Sequence, residues 1–114
     1  FPKVKIIIVH GGGFLPYYAG RQDSGARTGR DGANLKGDFS DYIRKFYYDS
    51  VIFNPDMLEF LATKTPASHI MMGTDYPFGE RKPVQFVRRA KALSKTVQDG
   101  ILGRNAARFF GIKI

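Results

Sequence analysis

From Val4 to Val9 the chain is apolar without alternation, broken only by Lys5. A β-branched run of this kind predicts a strand covered on both faces, as parallel strands are in α/β proteins. It ends on His10 and breaks into Gly11, Gly12 and Gly13. Phe14 to Arg21 reads as a short helix or turn, and residues 22–38, rich in Gly, Arg, Asp and Ser with no apolar period, read as a long loop. Ser40 is placed to cap a brief helix over residues 41–45, and Phe46 to Val51 has the aromatic and β-branched content of a second strand.

Asn54-Pro55-Asp56 is a helix start: an N-cap, a proline at the first helical position and an acid where the helix dipole favours one. Met57, Leu58, Phe60 and Leu61 supply its buried face, and Pro66 ends it. Residues 68–78 repeat the opening pattern, a short apolar strand that delivers Asp75 to its carboxyl end and then turns. Pro83 opens a helix with Val84, Phe86, Val87, Ala90 and Leu93 at helical spacing. Ser94 caps another, and a last one starts at Asn105 and stops at Gly111. The order is βαβαβα, which implies right-handed parallel crossovers.

Composition narrows the classes. Of 114 residues, 43% are hydrophobic and 25% charged, the values of a folded domain and not of a disordered one. With no cysteine there is neither a disulfide nor a thiolate metal site, which fits a reducing, cytoplasmic setting. No apolar run is long enough to span a bilayer, so no membrane partner is expected. The net charge of +8 is dispersed between residues 21–36 and 82–95, and nucleic acid is not expected as a partner either. The chain starts at Phe1, almost directly on its most apolar strand, which reads as a piece of something longer.

His10 and Asp75 both fall at carboxyl ends of strands, where parallel α/β folds gather their ligands and catalytic groups. A carboxylate there needs a metal, an arginine or backbone donors, since an unpaired buried charge costs several kcal/mol. Arg21 suits a substrate carboxylate through its guanidinium fork, or a surface pair with Asp23. His69 precedes its strand and is expected to be structural. His10-Gly-Gly-Gly also has the form of an esterase oxyanion-hole motif, but a nucleophile elbow G-x-S-x-G is missing.

Four ordered motifs, residues 10–21, 46–50, 72–78 and 101–108, together resemble the amidohydrolase-related (amidohydrolase 2) family, in the branch of aminocarboxymuconate-semialdehyde decarboxylase. The resemblance implies a TIM-like (β/α)8 metal-dependent hydrolase barrel. This chain would be its C-terminal portion, about three βα units, with residues 1–114 supplying strands six to eight and the C-terminal helices. It implies a divalent metal, usually zinc, with Asp75 as one ligand. The family's His-x-His pair and middle histidine have no counterpart here. It further implies His10 as base or proton shuttle, Arg21 on the substrate carboxylate (in that branch sometimes across a dimer interface) and Phe78 lining the pocket. The activity implied is a non-oxidative decarboxylation of an unsaturated or aromatic acid by a homo-oligomer, with a small carboxylate as the partner.

One metal ligand is short of the three typical of catalytic zinc, so this polypeptide alone is expected to be inactive. A hydrolase or hydratase of the same family is the alternative, and a non-catalytic α/β binding or assembly module is another.

Overall fold

The computed structural model describes residues 3–30 and 35–114. Three short strands, β1 (Ile7–Ile8), β2 (Tyr47–Asp49) and β3 (Ile70–Met71), form a parallel sheet in the order β1-β2-β3. Tyr48 pairs with Ile8 on one side and Ile70 on the other, so β2 is central. Helices α1 (Leu15–Arg27) and α2 (Phe39–Ile43) join β1 to β2, and α3 (Pro55–Lys64) joins β2 to β3. After β3 come α4 (Pro83–Arg89), α5 (Lys95–Asp99) and α6 (Asn105–Phe110).

The core lies on one side of the sheet. Tyr48 and Ile70 pack with Ile43, Leu58, Leu61, Phe86, Val87, Ala90 and Ile101, all essentially inaccessible to solvent. Each of the Ile, Leu, Val and Phe side chains among them contributes about 1.5–3 kcal/mol relative to exposure.

The expectation that the Val4–Val9 run is covered on both faces fails. Val4, Ile6 and Val9 are 47–60% exposed and only Ile8 is half-buried. Among the described residues β1 has a neighbour on one side only; Ile8 packs against the core, while Val4, Ile6 and Val9 find no cover. The Cα radius of gyration, 15.0 Å, exceeds the roughly 13 Å of a closed domain this long, as an open sheet requires.

Four local expectations also change. The helix after the glycines does not stop at Arg21 but continues to Arg27, replacing the first part of the expected loop; residues 31–34 of that loop, like Phe1, lie outside the described residues. The cause is tertiary: buried Asp23 accepts hydrogen bonds from the Ser40 amide and hydroxyl, tying α1 to α2. Ser40, thus engaged, is not a helix cap, and α2 begins two residues earlier than expected, at Phe39. Val84 is half exposed, and Leu93 lies beyond the end of α4. Met57 is likewise exposed, so α3 buries chiefly Leu58 and Leu61.

Other expected caps hold. The Asn54 side chain accepts from the Asp56 amide at 2.9 Å, and Ser94 accepts from the Val97 amide. Helix α6 begins at Asn105 as expected, though it is continuous with what precedes it. A π-helical turn, Gly100–Arg104, runs straight from α5 into α6, and buried Asn105 Nδ2 donates to the carbonyls of Ala67 (2.9 Å) and Ile70 (2.7 Å). In the same turn the Ile101 carbonyl accepts from the Met72 amide at 2.8 Å, which steers the chain as it leaves β3.

Candidate functional site

His10 leaves β1 in a left-handed conformation, φ 55°, and Gly11, Gly12 and Gly13 follow with φ of 60°, 84° and 57°. Four successive residues of this kind coil the backbone back on itself, with the Gly12 amide donating to Val9 O and the Gly13 amide to His10 O, both at 3.0 Å. At Gly11 and Gly12 the lack of a side chain is required twice over: a Cβ would stand 2.6 Å from Ile52 and 2.7 Å from the Tyr48 ring. Histidine has no such licence. A non-glycine residue in this region costs of order 1–2 kcal/mol, and such strain persists where surroundings impose it.

Asp75 has the same backbone, φ 55°. Its carbonyl accepts from the amides of Phe78 (2.8 Å) and Gly79 (2.9 Å), closing a tight turn after β3. The two loops project toward each other across the carboxyl edge of the sheet. His10 Nε2 approaches Asp75 Oδ1 to 3.7 Å, although 65 residues separate them, and both side chains are open to solvent.

Between them stands the end of β2, whose role sequence reasoning missed. Asp49 Oδ1 accepts from the Gly11 amide at 2.9 Å and from the Val51 amide at 3.0 Å. On the other side Ser50 Oγ, in a buried residue, accepts from the Gly73 amide at 3.2 Å. The available signal was positional: Asp49 ends β2, and His10 and Asp75 lie shortly past the ends of β1 and β3. Below this layer the Tyr48 hydroxyl donates to Ile43 O at 2.8 Å, and burial pushes its pKa up to about 12.

A mostly apolar cavity of about 260 Å³ opens beside His10, lined by Pro16, Tyr17, Ile52, Met57 and Phe60. Arg21 is not in it. That side chain faces a separate cleft of about 520 Å³ with Arg30, Ser24 and Thr28, and Asp23 is committed to Ser40. Phe78 is 89% exposed and lines neither cavity. His69 is structural, with Nδ1 at 3.1 Å from Phe46 O and its ring stacked on Tyr47. Among the described residues no three His, Asp or Glu side chains converge as a complete metal site. The carboxylate oxygen of Asp75 is the kind of donor that a divalent ion takes. No helix among the described residues is long and apolar enough to cross a membrane.

A family model described as amidohydrolase matches residues 1–112. The 2-amino-3-carboxymuconate-6-semialdehyde decarboxylase of Dictyostelium discoideum is 34% identical over 115 residues, covering 97% of this chain and 32% of that protein. The crystal structure of 5-carboxyvanillate decarboxylase from Sphingomonas paucimobilis superposes with a TM-score of 0.88 at 29% identity, over 99% of this chain and 35% of that one. A dihydroxybenzoic acid decarboxylase from Polaromonas sp. JS666, solved with bound manganese and an inhibitor, shares the fold with a TM-score of 0.82 at 24% identity, over 98% and 35%. The chain thus spans about a third of the length of the proteins it matches. Its parallel sheet is the corresponding part of a (β/α)8 barrel.

Proposed function

We propose, from the premise that this chain belongs to the amidohydrolase family, that it carries one side of the active site of a divalent-metal-dependent, non-oxidative decarboxylase. The substrate class is an aromatic or unsaturated carboxylic acid, as in the named relatives. Residues 1–114 take the place of barrel strands six to eight with the C-terminal helices. The observation that carries the reading is the meeting of His10 and Asp75 at 3.7 Å above the carboxyl ends of parallel strands, where barrel enzymes do their chemistry.

In this reading Asp75 is one ligand of the ion, zinc or manganese, and the remaining ligands come from barrel strands beyond these residues. When bound, the ion supplies Lewis-acid stabilisation of developing negative charge and acidifies a coordinated water. His10 Nε2, 3.7 Å from the Asp75 carboxylate, holds the proton that replaces carbon dioxide on the substrate carbon. Phe78 and the apolar cavity beside His10 receive the ring or unsaturated part of the substrate. Arg21, turned to another cleft, grips a substrate carboxylate in a second protomer of a homo-oligomer; the exposed Phe14 and Tyr17 support such assembly. A cytoplasmic setting belongs to the same proposal and rests on the cysteine-free composition.

The test is product analysis on the full-length protein containing these residues, loaded with zinc or manganese and given hydroxylated benzoic acids and amino-carboxymuconate-type acids. Release of carbon dioxide with the matching decarboxylated product is expected, with kcat falling about 100-fold or more in His10→Ala. Turnover to a hydrated or hydrolysed product without carbon dioxide would replace decarboxylase by hydratase or hydrolase. Residues 1–114 alone, holding one metal ligand, are expected to be inactive.

A further inference from the structure

The central strand β2 ends in Asp49-Ser50, and each of these side chains bonds to one arm of the site. Asp49 Oδ1 takes the Gly11 amide at 2.9 Å, next to His10, and Ser50 Oγ takes the Gly73 amide at 3.2 Å, two residues before Asp75. Both arms carry a non-glycine residue at φ 55°, a conformation that relaxes unless something holds it. The sequence separations of these bonds, 38 and 23 residues, make them tertiary restraints and not local turn geometry.

Close packing reinforces the arrangement. Cβ atoms built on Gly11 and Gly73 would meet Ile52 at 2.6 Å and Asp49 Cβ at 3.0 Å, so the arms lie close against the end of β2 and the turn that follows it.

We propose that Asp49 and Ser50 are positioning residues that set the separation of His10 and Asp75, Asp49 acting as a hydrogen-bond acceptor for the His10 arm and Ser50 for the Asp75 arm. This rests on His10 and Asp75 forming the reactive pair proposed above. Asp49 touches neither substrate nor metal in this role. Its oxygen also accepts from the Val51 amide at 3.0 Å, which fixes the carboxylate and leaves it one orientation toward Gly11. An asparagine retains an acceptor oxygen at the same reach, whereas alanine retains none.

The experiment compares Asp49→Ala, Asp49→Asn and Ser50→Ala in the metal-loaded full-length protein by steady-state kinetics and by crystal structure. Asp49→Ala is expected to lower kcat about 10-fold or more with KM changed less than about 3-fold, Asp49→Asn to recover most of that loss, and Ser50→Ala to lower kcat several-fold. A folded Asp49→Ala protein with undiminished kcat would overturn the proposal. Equal losses in the alanine and asparagine variants would overturn it as well, by making the charge and not the acceptor the requirement. If Asp49→Ala does not fold, Ser50→Ala decides by the same criterion. If the wild-type protein releases no carbon dioxide, the decarboxylase reading fails by itself. The crystal structures then judge the positioning: widening of the His10–Asp75 gap beyond 3.7 Å in either alanine variant supports it, and an unchanged gap in both refutes it.

Discussion

The ring of Tyr48 lies directly beneath Gly12, so that a Cβ on the glycine would stand 2.7 Å from the ring edge. Tyr48 is the wholly buried centre of the sheet, and Gly12 belongs to the turn that carries His10. The core and the candidate site are therefore in direct contact. Gly12→Ala has to displace Tyr48 and to occupy φ 84° with a side chain. The two costs together come to about 2–5 kcal/mol. Chemical denaturation checks this, and a loss below about 1 kcal/mol would show that the turn yields freely.

Tyr48 also predicts an alkaline limit. Its hydroxyl is buried and its pKa is raised to about 12, so the folded state holds the proton more tightly than the unfolded chain does. Its contribution is intact below about pH 10 and declines as pH rises from about 10 to about 12, amounting to as much as about 3 kcal/mol. Tyr48→Phe loses the bond to Ile43 O and is expected to flatten that part of the stability profile. An unchanged alkaline slope in this variant would assign the effect elsewhere.

At the acid end the sign reverses. A hydrogen bond from Arg88 holds the Asp99 carboxyl below the ordinary carboxylate range, against an opposing effect of desolvation, with the charges of Arg88, Arg104 and Lys95 assisting. A depressed pKa gives stability that is present above about pH 4 and is lost as pH falls through the folded value. Arg88→Met is expected to reduce the acid dependence of unfolding between about pH 5 and 2. Arg27 lowers the Asp38 carboxyl in the same way, so part of the dependence will remain.

Asn105 joins α6 to the approach to β3 through two carbonyls that have this one side chain as donor. Asn105→Ala leaves the Ile70 carbonyl without that bond in the core, at a cost of about 2–4 kcal/mol in thermal or denaturant unfolding. Wild-type stability would mean that water replaces the amide.

In the full-length protein, Asp75→Asn is expected to weaken divalent-ion binding by about 10-fold or more while leaving the fold intact. Metal content after dialysis, with circular dichroism as the control, checks both halves. Full metal retention would remove Asp75 from the ligand set.

Legibility in the sequence divides along physical lines. The starts of α3 and α5 were readable because an Asn54 or Ser94 cap bonds an amide two or three residues away, and the stop of α6 because Gly111 takes φ 70° by itself. The three strands, their parallel order and the strand-end places of His10 and Asp75 were readable for the same kind of reason: runs of β-branched and aromatic residues ending in turn residues. The resemblance to the amidohydrolase-related family, borne out by the match over residues 1–112, was legible in four short motifs.

Other features depended on groups far away in sequence. The extension of α1 to Arg27 hangs on Asp23 finding Ser40, and the exposure of β1 on the lack of a second neighbouring strand among the described residues. Arg21 belongs to the same sequence motif as His10, but helical rotation along α1 carries it to another cleft. The amino-acid sequence by itself determined which residues end the strands and which elements lie between them, because those are settled by bonds within a few positions. Only the tertiary structure decided that His10 and Asp75 meet at 3.7 Å and that Asp49 and Ser50 hold their arms. Strand register and the left-handed turns bring those atoms together, and neither leaves a mark on local composition.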